Sequence, residues 1–157
     1  RGVDPMKHGL AAMLLALAAG GLAAQEKPAG AALYATHCVA CHQADGQGAP
    51  GIAPPLAGNL ARHAGSGGGR DYLARVPLTG MVGAITVNGV RYTGNMPSFA
   101  ALSDGEIAAV VAYVLQEFNG TASADWLNAE FVAQVRKQGG TPNDTHRARG
   151  RLAAAGS

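Results

Sequence analysis

Cys38-Val39-Ala40-Cys41-His42 contains both cysteines of this 157-residue chain, and a histidine directly follows the second. Two thiols three positions apart can add to the two vinyl groups of a haem, and the adjacent imidazole can then ligate the iron. This is the C-x-x-C-H pattern of c-type haem attachment. Rival readings of the same residues are weaker. Structural zinc usually takes four Cys or His ligands, and no partner pair stands at zinc-finger spacing. A disulfide between residues so close closes no useful loop. A thioredoxin-like redox pair needs a surrounding βαβ pattern, which the sequence lacks.

An iron held by one histidine either takes a second axial ligand or stays open. Histidine plus methionine gives a closed electron-transfer site, and the methionine raises the reduction potential. Four methionines are present. Met6 and Met13 fall in an N-terminal segment that is read below as a leader. Met81 lies between Gly80 and Val82 with no other marker. Met96 precedes Pro97 in a loop that Pro and Gly would stiffen, so Met96 is the favoured sixth ligand and Met81 the next. The bland alternative is a methionine packed in the core. His37 abuts Cys38 and should point away from the iron. His63, in a Gly-rich segment, should be exposed to solvent and is a minor alternative ligand. His146 lies in the C-terminal tail.

The N-terminal residues read as an address. Met6-Lys7-His8 opens a short basic segment, Leu10 to Leu17 begins an apolar run, and small residues at Ala23 and Ala24 offer a cleavage site before Gln25, as in a secretory signal peptide. The run from Leu10 to Ala24 is 15 residues, short for a membrane span. Export to the periplasm, with no stable membrane span after cleavage, is therefore expected. Residues 25–118 carry five basic and six acidic residues, and residues 119–157 carry five basic and three acidic. Neither balance suggests nucleic-acid binding. Aromatic residues make up only 5% of the chain, which implies a thin core that a large apolar cofactor would fill.

Along the chain, Gly30 to Cys38 reads as a short helix. Gly30 and Tyr34 share a face, and a glycine there makes sense if another helix approaches closely. Residues 43–70 are rich in Gly, Pro and Ala and read as loop. Asp71 to Val76 supports one or two helical turns stopped by Pro77. Ile85 to Tyr92, with Asn88-Gly89 at its centre, is a hairpin that pairs Val87 with Val90 and Ile85 with Tyr92, placing all four on one face. Ser103 and Glu106 form a capping box with Leu102 and Ile107 as its hydrophobic staple. The helix that follows should run from Asp104 to about Phe118 and end at Asn119-Gly120. Trp126 to Lys137 reads as another amphipathic helix, with Leu127, Phe131, Val132 and Val135 inward. From Gln138 the composition suggests a mobile basic tail. The expected division is residues 1–24 as upstream residues plus signal peptide, 25–118 as the haem domain, 119–137 as a helical extension and 138–157 as the tail.

With these residues in hand, the chain from Gly30 to about Phe118 resembles the class I cytochromes c. Gly30 and Tyr34 are similar to the Gly-x-x-x-aromatic of that family's N-terminal helix, and Val110 and Tyr113 to the positions on the C-terminal helix that cross it. The resemblance implies that Pro54 gives its carbonyl to the other ring nitrogen of His42, that Leu56 packs on the haem, and that Met96 is the distal ligand. It further implies a mostly α fold, here with a short β-hairpin before the Met-ligand loop and an extra C-terminal helix. One haem c would be bound covalently by Cys38 and Cys41, with His42 and Met96 as iron ligands and no catalytic residues. The stretch from Leu73 to Pro97 is similar to small periplasmic cytochromes that serve bacterial dehydrogenases. That implies an electron carrier rather than an enzyme, accepting electrons from a periplasmic dehydrogenase and donating them to a downstream carrier or oxidase. The alternative is a haem enzyme, peroxidase-like, acting at an iron that Met96 fails to hold.

Overall fold

The computed structural model describes residues 29–122 and 124–155. The expected leader lies outside the described residues. The fold is mostly α-helical, with α1 (Ala29–His37), α2 (Val39–His42), α3 (Gly67–Thr79), α4 (Asp104–Asn119), α5 (Ala129–Gln138) and α6 (Pro142–Ala155). A two-stranded antiparallel ribbon, β1 (Ile85–Val87) and β2 (Val90–Tyr92), stands between α3 and α4. No helix among the described residues is long and apolar enough to cross a membrane.

The packing starts from α4. Its Ser103 cap accepts from the Glu106 N–H while the Glu106 carboxylate takes the Ser103 N–H, so two otherwise orphaned donors are satisfied at once. Gly120 ends the helix in the left-handed conformation. The buried face of α4 carries Ile107, Val110, Val111, Val114 and Leu115. Against it lie Tyr34 of α1, Leu73, Ala74 and Leu78 of α3, and Val132 and Val135 of α5, in one continuous core. The α1–α4 crossing is tight at Gly30, where an added Cβ would lie 2.2 Å from the Ala109 carbonyl oxygen and 2.8 Å from Tyr113 Cβ. Ala109 and Tyr113 lie over the glycine, and Val110 faces a cavity instead.

Three expectations for helices are corrected. First, α3 begins at Gly67, within the expected loop, because the Ser66 hydroxyl accepts from the Gly69 N–H and caps it. The glycine at 69 is required, since a Cβ there would meet the His63 carbonyl at 2.1 Å. Pro77 does not stop this helix. It sits in the last turn, where the missing N–H forfeits one bond only, and its carbonyl accepts from the Phe99 N–H at 2.8 Å. Second, α5 starts at Ala129 rather than Trp126, because the Asn128 side chain caps it through the Phe131 N–H. Trp126 packs before the helix against Phe131, with the Arg70 guanidinium over its ring. Third, the expected mobile tail is helical over Pro142–Ala155 and packs on α3. Its Thr145 is fully buried, and the Thr145 hydroxyl is 2.6 Å from that of Thr79.

The ribbon has the expected register, with Ile85 opposite Tyr92, Thr86 opposite Arg91 and Val87 opposite Val90. Ile85, Val87 and Tyr92 are buried together, while Val90 at the turn is 45% exposed.

Candidate functional site

The segment that α1 delivers is stiff. The Cys38 N–H donates to the Tyr34 carbonyl and the His42 N–H to the Cys38 carbonyl, each at 2.9 Å, so the two cysteines and the histidine sit on consecutive helical turns. The buried Tyr34 hydroxyl donates to the Gln43 carbonyl at 2.7 Å and fastens the far end. Cys38 is half-buried and Cys41 exposed. Burial, with the Cys41 thiol adding to it, pushes the Cys38 thiol up to about 11.

His42 is buried, and its Nδ1 lies 3.0 Å from the Pro54 carbonyl oxygen. A carbonyl can only accept, so Nδ1 carries the hydrogen and Nε2 keeps its lone pair. Burial holds the ring below the ordinary imidazole range against the opposing pull of that carbonyl. The neutral form that binds metals is thus favoured. Pro54 is fixed by its loop. The Gly48 N–H donates to the His42 carbonyl, the Leu56 N–H to Gly46, and the Gly58 N–H to Phe118, all at 2.8–2.9 Å. The Asn119 side chain accepts from the Leu60 N–H at 2.8 Å, which ties this loop to the end of α4.

Met96 enters from the other side of the sequence. Its N–H donates to the Met81 carbonyl at 2.9 Å, and the Met81 N–H donates back at 3.0 Å. Residues paired in this way project to one side. The two methionines that the sequence reading ranked first and second are therefore cross-strand neighbours. The Ser98 hydroxyl donates to the Leu78 carbonyl at 2.7 Å, so the loop is anchored to the end of α3.

These groups meet around one cavity. Cys38, Cys41, His42, Met81 and Met96 all border it. Pro54 and Leu56 form part of its wall, with Leu73 and Val76 of α3, Ile85, Val87 and Tyr92 of the ribbon, and Val110, Val111 and Val114 of α4. The donor set suits an iron porphyrin: two thiols at the border for the vinyl groups, a neutral imidazole with a free Nε2, a thioether and apolar walls. His37 also borders the cavity, half-buried, with its ring edge toward Phe99 at 5.8 Å. His63 is not among the lining residues. Contrary to expectation it is buried, at 7% exposure, because the turn Ala61–His63 folds it against Tyr72, with ring centroids 5.3 Å apart. Its Nε2 has no hydrogen-bond partner among the described residues. Arg149 of α6 was missed by the sequence reading and also lines the cavity.

The model of the cytochrome c family matches residues 28–117. A cytochrome c-552 of Thermus thermophilus is 42% identical over 132 residues, covering 84% of this chain and 86% of the relative. A second cytochrome c-552 of the same species is 43% identical over 108 residues, covering 69% of this chain and 82% of the relative. The fructose dehydrogenase cytochrome subunit of Gluconobacter japonicus is 37% identical over 121 residues, covering 70% of this chain but only 22% of that subunit.

Proposed function

The chain belongs to the cytochrome c family, and from that premise we propose that it is a periplasmic monohaem carrier of single electrons, with haem c joined to Cys38 and Cys41 and the iron between His42 and Met96. The observation that carries this reading is the His42–Pro54 hydrogen bond. It fixes the tautomer, orients the ring and makes Nε2 a better donor. Haem supplies the one-electron chemistry, exchanging ferric for ferrous iron. The residues of the chain hold and tune it. Linked to a vinyl group, with the thiol hydrogen passing to the neighbouring vinyl carbon, the half-buried Cys38 sulfur would be an uncharged thioether suited to its apolar surroundings. The Met81–Met96 pairing keeps the thioether loop in place. The ribbon and α4 exclude water with aliphatic and aromatic surface, which favours the less charged ferrous site.

A dehydrogenase is the proposed donor, and a downstream carrier or oxidase the acceptor. The likeness to a cytochrome subunit of a dehydrogenase supports the first assignment, and the leader-like sequence before Gln25 supports export. The deciding experiment is Met96→Ala. The variant should keep one covalent haem per chain, measured as the pyridine haemochrome, and lose the long-wavelength methionine–iron absorption band of the oxidised protein. Persistence of that band would pass the ligand role to Met81.

A further inference from the structure

The residue after His42 holds a backbone conformation that its side chain disfavours. Gln43 caps α2 at φ 62 and ψ 164, with its N–H on the Val39 carbonyl. This region belongs essentially to glycine, because a Cβ there crowds the neighbouring backbone. The caps of α3 and α5 take nearly the same shape, at φ 73, ψ −172 and φ 66, ψ −161, and both are glycines, Gly80 and Gly139. Among the described residues the only other non-glycine with positive φ is Asn88, in the hairpin turn, where asparagine is favoured. Strain of this kind persists only where the surroundings over-determine it. The Tyr34 hydroxyl supplies the hold. Its hydrogen goes to the Gln43 carbonyl at 2.7 Å, from a buried ring wedged against Tyr113 and Phe118, with centroids 5.5 and 5.0 Å away.

Relaxing Gln43 to negative φ would turn over the His42–Gln43 peptide. That breaks the Gln43 N–H bond to Val39 and swings the His42 carbonyl away from the Gly48 N–H, which donates to it at 2.9 Å. Gly48 packs closely on the returning limb of the loop, where an added Cβ would lie 2.7 Å from both the carbon and the oxygen of the Pro54 carbonyl. The turn and the Pro54 carbonyl therefore move together, and that carbonyl is the acceptor for His42 Nδ1. We infer that Tyr34, through its hydroxyl, is a positioning residue for the iron ligand: it locks the strained turn at Gln43 and so keeps the His42 ring on the Pro54 carbonyl. This rests on His42 serving as the haem ligand, as proposed above. An imidazole that donates from Nδ1 is the more basic ligand and favours ferric iron, so the lock holds the reduction potential below that of a freer ring.

The test uses holoprotein of the full chain, as wild type, Tyr34→Phe, Gln43→Gly, the double variant and the control Tyr113→Phe. The control removes a hydroxyl from the adjoining ring. The pyridine haemochrome is measured first. Wild-type protein without covalent haem would overturn the function proposed above, independently of Tyr34. With haem present, Tyr34→Phe should speed solvent exchange of the His42 Nδ1 hydrogen about tenfold, as the loss of one hydrogen bond implies, read by proton NMR of the ferrous protein. It should also raise the midpoint potential, and Tyr113→Phe should do neither. Glycine takes the turn without strain and needs no lock. Gln43→Gly alone should therefore match wild type in both measurements, and adding it to Tyr34→Phe should restore both. A hydroxyl that only satisfied the packing around Tyr34 would give no such rescue. If Tyr34→Phe yields no holoprotein, the double variant decides: recovery of holoprotein supports the lock, and failure to recover it overturns the lock. Exchange and potential in Tyr34→Phe equal to those of the control would overturn the inference, as would a double variant that still behaves like Tyr34→Phe.

Discussion

Gly30→Ala should destabilise the protein even though alanine is the better helix former. In an unobstructed helix interior the exchange gains about 1 kcal/mol. At position 30 the new methyl would lie 2.2 Å from the Ala109 carbonyl oxygen, 2.8 Å from Tyr113 Cβ and 2.9 Å from the Ala109 carbonyl carbon. Two of these atoms are backbone of α4, so no rotamer change relieves the contact, and α1 and α4 must separate. Overpacking of a rigid site costs roughly 3 kcal/mol at the upper end of its ordinary range. The balance is a loss of about 2 kcal/mol, which lowers the melting temperature of a domain this size by on the order of 5–10 °C. The matched control is Gly150→Ala, where an added Cβ meets nothing within 4 Å. It lies inside α6 and should gain stability. Guanidinium titration of the holoproteins, followed by far-ultraviolet circular dichroism and haem absorbance, reads both. Equal or greater stability for Gly30→Ala would refute the close crossing as the reason for glycine there.

Arg136→Ala should cost about 2 kcal/mol, because charge-assisted bonds to two carbonyls and one carboxylate are lost but their exposure to water discounts each. The guanidinium reaches Asp104 Oδ1 at 2.7 Å and the Ala100 and Leu102 carbonyls at 2.8 Å. Arg136→Lys should not restore the loss, since an ammonium cannot span the three acceptors as a planar fork does, and urea titration compares the variants. Glu106→Ala should destabilise at neutral pH and progressively less in acid. Hydrogen bonds from the Ser103 hydroxyl and N–H hold the Glu106 carboxyl below the usual carboxylate range. A folded value below the unfolded one gives stability that is present above the unfolded value and lost as pH falls through the folded one. Convergence of wild type and variant in acidic urea titrations is the expected outcome, and a gap that stays constant with pH would contradict it.

Much of the haem half of the molecule is legible in the sequence because its signals are local. Ser103, Glu106 and Gly120 mark the ends of α4 by hydrogen bonds that each span a few residues. Asn88-Gly89 sets the ribbon register through its turn geometry. Cys38, Cys41 and His42 are contiguous, and Met96 reaches the same cavity through a loop of recognisable stiffness. Other features were hidden because distant contacts decide them. Nothing near His63 in sequence says that Tyr72 will cover it. Three glycines at the start of α3 look like loop until the Ser66 cap and the approach of the His63 carbonyl are known. In α6 the seating residues are Thr145, His146 and Arg149, polar side chains with no apolar stripe to read. A signal was present all the same. Thr141-Pro142-Asn143-Asp144 has a cap, a proline at the first helical position and an acid two places on, and the Asp144 carboxylate does accept from the Thr141 N–H at 2.8 Å.

The polar seating of α6 also bears on the order in which the molecule comes apart. The helix adds little apolar surface to the core, and its docking bonds from Thr145, His146 and Arg149 reach back 62 to 77 positions in sequence. The crossing of α1 with α4 is by contrast cemented by buried aromatic and aliphatic side chains. A segment of the first kind opens as its own cooperative unit, at a free energy below that of global unfolding. Amide hydrogens of α6 should therefore exchange ahead of those of α4, and the first native-state fluctuation of consequence would carry Arg149 away from the cavity while the Cys38–His42 segment stays in place.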